Sequence, residues 1–283
     1  MSRRPTLVQV LTLVAISGLT GLSANASPLA SLDLIVATTG GCCSPSTLPN
    51  VYHLDSTGAF LGFSYSPFSA TDIAVDKAGS TLFSSANSGT IVATDPNGGL
   101  VRLISTPLSG INGLAVESNG NLLAASGSNF YTFDANGGFL GLVFSQEAPF
   151  GPFGVTTDNV AVFPDQGFCC QEEFTTLNFF DLETRNLTEV PTSFSSIRAL
   201  DVSEDGEIIV AGDLRTNGFS STTGIFRLDM NGVVLGQIAG PQNVTGLAVA
   251  NLPEPGTAML IGAGLSLLGA RRRRASSVRC GLA

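Results

Sequence analysis

Five stretches of the chain repeat one pattern of apolar, small and polar residues: "TDIAVD" (71–76), "NGLAVE" (112–117), "FGVTTD" (153–158), "RALDVS" (198–203) and "TGLAVA" (245–250). Their third residues are Ile73, Leu114, Val155, Leu200 and Leu247, spaced 41, 41, 45 and 47 apart. After each of the first four comes a short apolar strand such as "NLLAAS" or "EIIVAG". A third strand then ends in aspartate and a turn: "DSTG" (55–58), "DPNG" (95–98), "DANG" (134–137), "DLET" (181–184) and "DMNG" (229–232). Aspartate at the first turn position bonds back to the backbone, and glycine at the fourth tolerates positive φ. A fourth strand follows, as in "GGFLGLVF".

Four strands in each unit of about 40 to 47 residues make the blade of a β-propeller. The first unit, from Leu32 to Tyr65, lacks an inner strand, and "TGLAVA" has no blade after it. The economical arrangement has the last strand completing the first blade. The expected fold is therefore all-β, a five-bladed β-propeller from about residue 32 to 250, closed by its C-terminal inner strand. A β-sandwich is the alternative. The repeats loosely resemble the NHL and SMP-30-like propellers.

The two ends depart from this pattern. "MSRRPTLVQVLTLVAISGLTGLSANAS" has Arg3 and Arg4, an apolar run and Ala24-Asn25-Ala26. This order reads as a secretory signal over residues 1–26, which implies the Sec machinery and signal peptidase. Ser2-Arg3-Arg4 also fits the start of a twin-arginine signal, the Tat alternative, though Thr6 stands where that signal favours a bulky apolar residue. At the other end, Pro253-Glu254-Pro255 precedes an uncharged, glycine-rich apolar stretch, Thr257 to Ala270, and then Arg271, Arg272, Arg273 and Arg274. As a short apolar helix the stretch would be about 21 Å long. That spans a bilayer core only marginally. The arginines belong on the cytoplasmic side.

This order of parts resembles the PEP-CTERM sorting signal of exopolysaccharide-producing bacteria. The resemblance implies a segment (253–274) that holds the exported chain in the inner membrane until an exosortase cuts near Pro-Glu-Pro. It implies a final location at the cell surface or outside the cell, with extracellular polysaccharide as a candidate partner. An uncleaved C-terminal anchor is the alternative. The nine residues after the arginines (275–283) depart from the usual end of such proteins. The exported domain is then 27–252.

That domain keeps 6 of the 13 basic and 21 of the 22 acidic residues, a net charge of about −15. Such a balance repels nucleic-acid phosphates and suits a soluble protein, and it attracts cations.

Candidate chemistry is sparse. On the inner strands the place before the core aliphatic holds Gly113, Gly154, Ala199 and Gly246, but Asp72 in the first repeat. The place after it holds Ala74, Ala115, Thr156 and Ala248, but Asp201 in the fourth repeat. Asn112 and Arg198 lie one residue further toward the loops that enter these strands. Asp72, Asn112, Arg198 and Asp201 could form a polar or cation site. Carboxylates with an amide oxygen suit Ca2+. A solvated channel with an Asp–Arg pair is the plainer reading.

Two carboxylates could also serve glycoside hydrolysis, an analogy from fold alone. No catalytic motif of nucleophilic, zinc-protease or P-loop type is present. His53, the single histidine, sits mid-strand and reads as a packed or surface residue. "DVSEDGE" (201–207) reads as a hairpin turn at Asp205-Gly206.

Four cysteines lie in the exported part: Cys42, Cys43, Cys169 and Cys170. An even number in an oxidising compartment points to disulfides. Each pair falls in a long loop between the second and third strands of a blade, in blades one and four; two vicinal bridges, or cross-links between the two loops, are both open, as is a soft-metal site. Two classes of function remain: a non-catalytic binding or structural propeller, and a secreted carbohydrate- or lactone-acting enzyme.

Overall fold

A computed structural model describes residues 32–38, 50–65, 68, 70–147, 149–165, 175–217 and 220–251. The signal segment, the four cysteines, the Pro-Glu-Pro segment, the apolar stretch and the arginines lie outside these residues.

Among the described residues, twenty strands form five four-stranded antiparallel sheets. Blade one consists of β1 (Leu32–Thr38), β2 (Asn50–Leu54) and β3 (Phe60–Tyr65), with β20 (Val244–Asn251) as its inner strand. Blade two runs from β4 (Asp72–Val75) through β5 (Thr81–Ser85) and β6 (Ser88–Thr94) to β7 (Leu100–Ser105). Blade three is β8 (Gly113–Val116), β9 (Leu122–Ser126), β10 (Asn129–Phe133) and β11 (Phe139–Ser145). Blade four is β12 (Gly154–Val155), β13 (Val160–Asp165), β14 (Thr176–Asp181) and β15 (Leu187–Pro191). Blade five is β16 (Phe194–Val202), β17 (Ile208–Asn217), β18 (Ser220–Leu228) and β19 (Val234–Ile238). The architecture is the expected five-bladed propeller, and β20 pairs with β1 from Leu32↔Asn251 to Thr38↔Val244.

The apolar runs of the second strands follow from this packing. Successive side chains of a strand point to opposite faces, and here both faces are covered by neighbouring blades. Leu34 and Val36 of β1 pack with Ile209, Ala211 and Ile225 of blade five. Ile35 and Ala37 of the same strand pack with Ile73, Phe83 and Val92 of blade two. Three further apolar clusters fill the interfaces between blades two and three, three and four, and four and five. Five interfaces thus share one core divided by sheets. The interface of blades three and four is aromatic. Phe130 stacks on Phe150 with centroids 3.7 Å apart, and Phe153 and Phe163 complete the group.

The turns obey the expected chemistry in four blades. Asp55, Asp95, Asp134 and Asp229 each accept, on Oδ1, the amides two and four residues on. "DLET" is the exception. Its turn is one residue longer and closes with the Asp181 amide on the Asn186 carbonyl. Arg185 takes the positive φ of 63° that glycine takes elsewhere. In the turns after the inner strands, Asn159 (φ 60°) does the same where the other blades use Gly79, Gly120 and Gly206. Asparagine is among the few non-glycine residues that tolerate this region. "DVSEDGE" is the hairpin turn that its Asp-Gly pair indicates, with the Gly206 amide on the Ser203 carbonyl at 3.0 Å.

No helix among the described residues is long and apolar enough to cross a membrane.

Candidate functional site

The inner strands β4, β8, β12, β16 and β20 surround the axis, and their small residues set how closely they approach. A Cβ on Gly154 would stand 2.8 Å from Asp201 Oδ1, and one on Gly113 would stand 2.6 Å from the Phe153 ring. Gly246 lies against the Asp72 backbone. The two odd carboxylates therefore sit where inner strands approach closely.

Asp72 is fully buried. Its Oδ1 accepts the Ile73 amide and its Oδ2 the Leu114 amide of the next blade, both at 2.9 Å. The Leu247 amide of the preceding blade's inner strand also bonds to it. Asp201 repeats the device. Its Oδ1 accepts the Val202 amide and its Oδ2 the Val249 amide, both at 2.8 Å. Both carboxylates span from one inner strand to another, and both hold β20. Burial pushes the Asp72 carboxyl well above the usual range against the lowering effect of these amides, and the Asp201 charge adds to the rise. Burial also pushes Asp201 up, to about 7.

Arg198 and Asn112 lie at the loop side of the axis. Arg198 donates to Asp213 Oδ2 at 2.9 Å, and not to Asp201. Asp213 also accepts Ser196 Oγ at 2.7 Å and Thr223 Oγ1 at 2.6 Å. Burial alone would raise Asp213, but these hydroxyl bonds and the Arg198 charge hold it below the usual carboxylate value. The Asn112 amide donates to the Ala125 carbonyl, continuing the β8–β9 ladder. The four sequence candidates thus divide between two carboxylates bound to backbone amides and two residues at the loop side.

Among the described residues no three His, Cys, Asp or Glu side chains come together as a metal-ligand group. His53 is half-buried and shares a 3.1 Å hydrogen bond with Ser64 Oγ. Burial lowers its pKa, against a smaller opposing effect of Asp33.

A cavity of about 720 Å³ opens at the other end of the axis, where the inner strands turn into the second strands. Ala74, Ala115, Val155 and Val249 contribute apolar surface. Asp76, Glu117, Asp201 and Glu204 contribute carboxylates, and Lys77 an ammonium group. Sequence reasoning looked to the loop side and passed over Asp76, Glu117 and Glu204. Each lies in the turn after a repeated inner-strand motif, and that common position was the available signal. It also passed over Asp213, whose signal was a single carboxylate directly after the apolar "EIIVAG".

No family model matches the chain, and no curated protein matches it. Among solved structures, a protein of unknown function from Bacteroides caccae resembles it with TM-score 0.50 at 12% identity. That match covers 78% of this chain and all of the other. A chain in the structure of the nidogen/laminin complex resembles it with TM-score 0.53 at 9% identity, covering 77% of this chain and 98% of that one. These are two of 622 matching chains. Likeness at such identities concerns the fold alone and names no function.

Proposed function

We propose that this protein is an exported, non-catalytic binding or structural propeller of the cell surface or extracellular matrix. The observation behind this reading is the use of Asp72 and Asp201. Both inner-strand carboxylates are bonded to backbone amides of adjacent strands, so they serve ring assembly. The nidogen/laminin chain offers a parallel, a propeller in a protein–protein complex.

Export uses the N-terminal signal, and an exosortase releases the C-terminal segment near Pro253-Glu254-Pro255. Produced in a host with an exosortase, the surface form should end near Pro253 to Pro255 by mass spectrometry. Recovery of Cys280 in the extracellular protein would refute processing. A carbohydrate array and a hydrolase panel, both run with the full chain, test the binding reading. Binding without turnover supports it.

Two vicinal disulfides, Cys42–Cys43 and Cys169–Cys170, each stiffen one loop. Non-reducing peptide mapping should find no peptide that joins 42–43 to 169–170. Such a peptide would establish a cross-link between the loops instead.

One observation favours the enzymatic reading as the second choice. Asp201 lines a cavity, and burial raises its pKa to about 7, a value that suits a general acid at neutral pH. Hydrolysis of a glycoside or lactone that Asp201→Asn abolishes while binding persists would establish it.

A further inference from the structure

The cavity at the turn side of the axis has features that the binding and structural reading leaves unused. All five inner strands reach it, and its size lies within the roughly 300–1,000 Å³ range of small-ligand pockets. Its floor is apolar. Its walls carry four carboxylates against one ammonium group. Lys77 Nζ donates to the Ser118 carbonyl across the neighbouring turn, a neutral acceptor that leaves its charge in place. Asp76 is paired with Arg102 at 3.0 Å. Glu117 accepts only neutral donors, Asn119 Nδ2 at 2.9 Å and Thr132 Oγ1 at 3.3 Å. Asp201 accepts only amides. Glu204 is exposed. The turns after β12 and β16, which line the cavity, also carry Asp158 and Asp205, so acidic groups outnumber Lys77 and Arg102 around the opening.

We propose that this cavity binds an extended organic cation, a primary ammonium or guanidinium group carried on an apolar stem. The stem covers the alanine and valine floor, and the charged head meets Glu117 and Glu204. A compact metal ion fits less well, because its ligands must converge within about 2.3–2.6 Å of one point, and no three of these carboxylates form such a group among the described residues. A neutral sugar fits less well too, because among the described residues no aromatic side chain lines the cavity to stack on its ring.

This site deepens the binding reading and rests on it. Cadaverine is the probe, with 1,5-pentanediol as its uncharged counterpart, titrated calorimetrically into the full chain at low salt. Cadaverine should bind saturably, and the diol at least about tenfold more weakly. Raising the salt to about 0.2 M should weaken cadaverine several-fold, as screening requires. Glu117→Gln with Glu204→Gln should weaken it at least about fivefold, and Lys77→Gln should tighten it.

The inference is overturned by absence of saturable cadaverine binding, by equal binding of the diol, or by an unchanged affinity in the double variant. Should the double variant fail to fold, the diol and salt comparisons still decide. Failure at this site leaves the export and processing outcomes intact. Turnover in the hydrolase panel overturns the non-catalytic reading without altering cadaverine affinity.

Discussion

Deleting Asn243–Ala250 is expected to abolish cooperative unfolding. The deleted segment carries most of β20, whose Val244, Leu247, Ala248, Val249 and Ala250 are all buried. Burial of such side chains is worth about 1.5–3 kcal/mol for each valine or leucine. The alanines and the ladder to β1 add to that. The loss is then on the order of 10 kcal/mol, comparable to the whole stability of a typical domain, roughly 5–15 kcal/mol. The deletion also removes the Leu247 and Val249 amides from Asp72 and Asp201. It uncovers the edge of β1, where Leu34, Ile35 and Val36 lie in a row. Such an apolar edge pairs with other chains. Thermal melts and light scattering of the truncated protein should show a broad transition or aggregation. A sharp melt at the wild-type temperature would refute closure by β20.

The second large effect concerns the buried carboxylates. Asp72→Ala leaves amides of Ile73, Leu114 and Leu247 without their acceptor in the interior. At about 1–3 kcal/mol for each unsatisfied group, several kcal/mol of stability should vanish, seen as a fall of the denaturation midpoint in urea.

Asp201 brings pH into the same device. Its folded pKa, about 7, stands above the usual aspartate value of 3.8. A raised folded pKa contributes stability that is full below about pH 4 and is lost as pH rises through about 7. The direction for Asp72 is the same. At 1.36 kcal/mol per unit, the Asp201 contribution is up to about 4 kcal/mol, and less because the residue lines a cavity. Asp201→Asn cannot ionise. Its deficit relative to wild type should therefore shrink by roughly 2–4 kcal/mol between pH 4.5 and 8.5. The turn residues Asp55, Asp181 and Asp229, whose pKa values are lowered by turn hydrogen bonds, act in the opposite sense below about pH 4. They cancel in the comparison of variant and wild type. A deficit that stays constant with pH would refute the assignment.

The fold was legible because the blades repeat three local signals: a small-residue inner strand, an apolar second strand and, in four of the five, an Asp-x-x-Gly turn. Such signals act over a few residues, through strand alternation and turn geometry. The closing strand was legible by counting, since one unit lacked an inner strand and one inner strand lacked a unit. The long turn at Asp181 was not, because the positive φ fell on Arg185, a residue type that seldom adopts it.

The sequence by itself determined the number of blades, the manner of closure and the singular character of Asp72 and Asp201 on the inner strands. Only the tertiary structure decided what those two residues touch. The cross-strand amides of Leu114 and Val249 lie 42 and 48 residues from Asp72 and Asp201, and no local pattern specifies which amide arrives. The same holds for Arg198. It stands near Asp201 along the chain, yet pairs with Asp213, because the β16–β17 pairing sets Ser196 opposite Asp213 and leaves Arg198 unpaired at the irregularity between Ile197 and Ala199, within reach of that carboxylate. The acidic cavity is likewise a tertiary product. Asp76, Glu117 and Glu204 belong to three separate turns, and they share one opening only because ring closure places the ends of all five inner strands around a common axis.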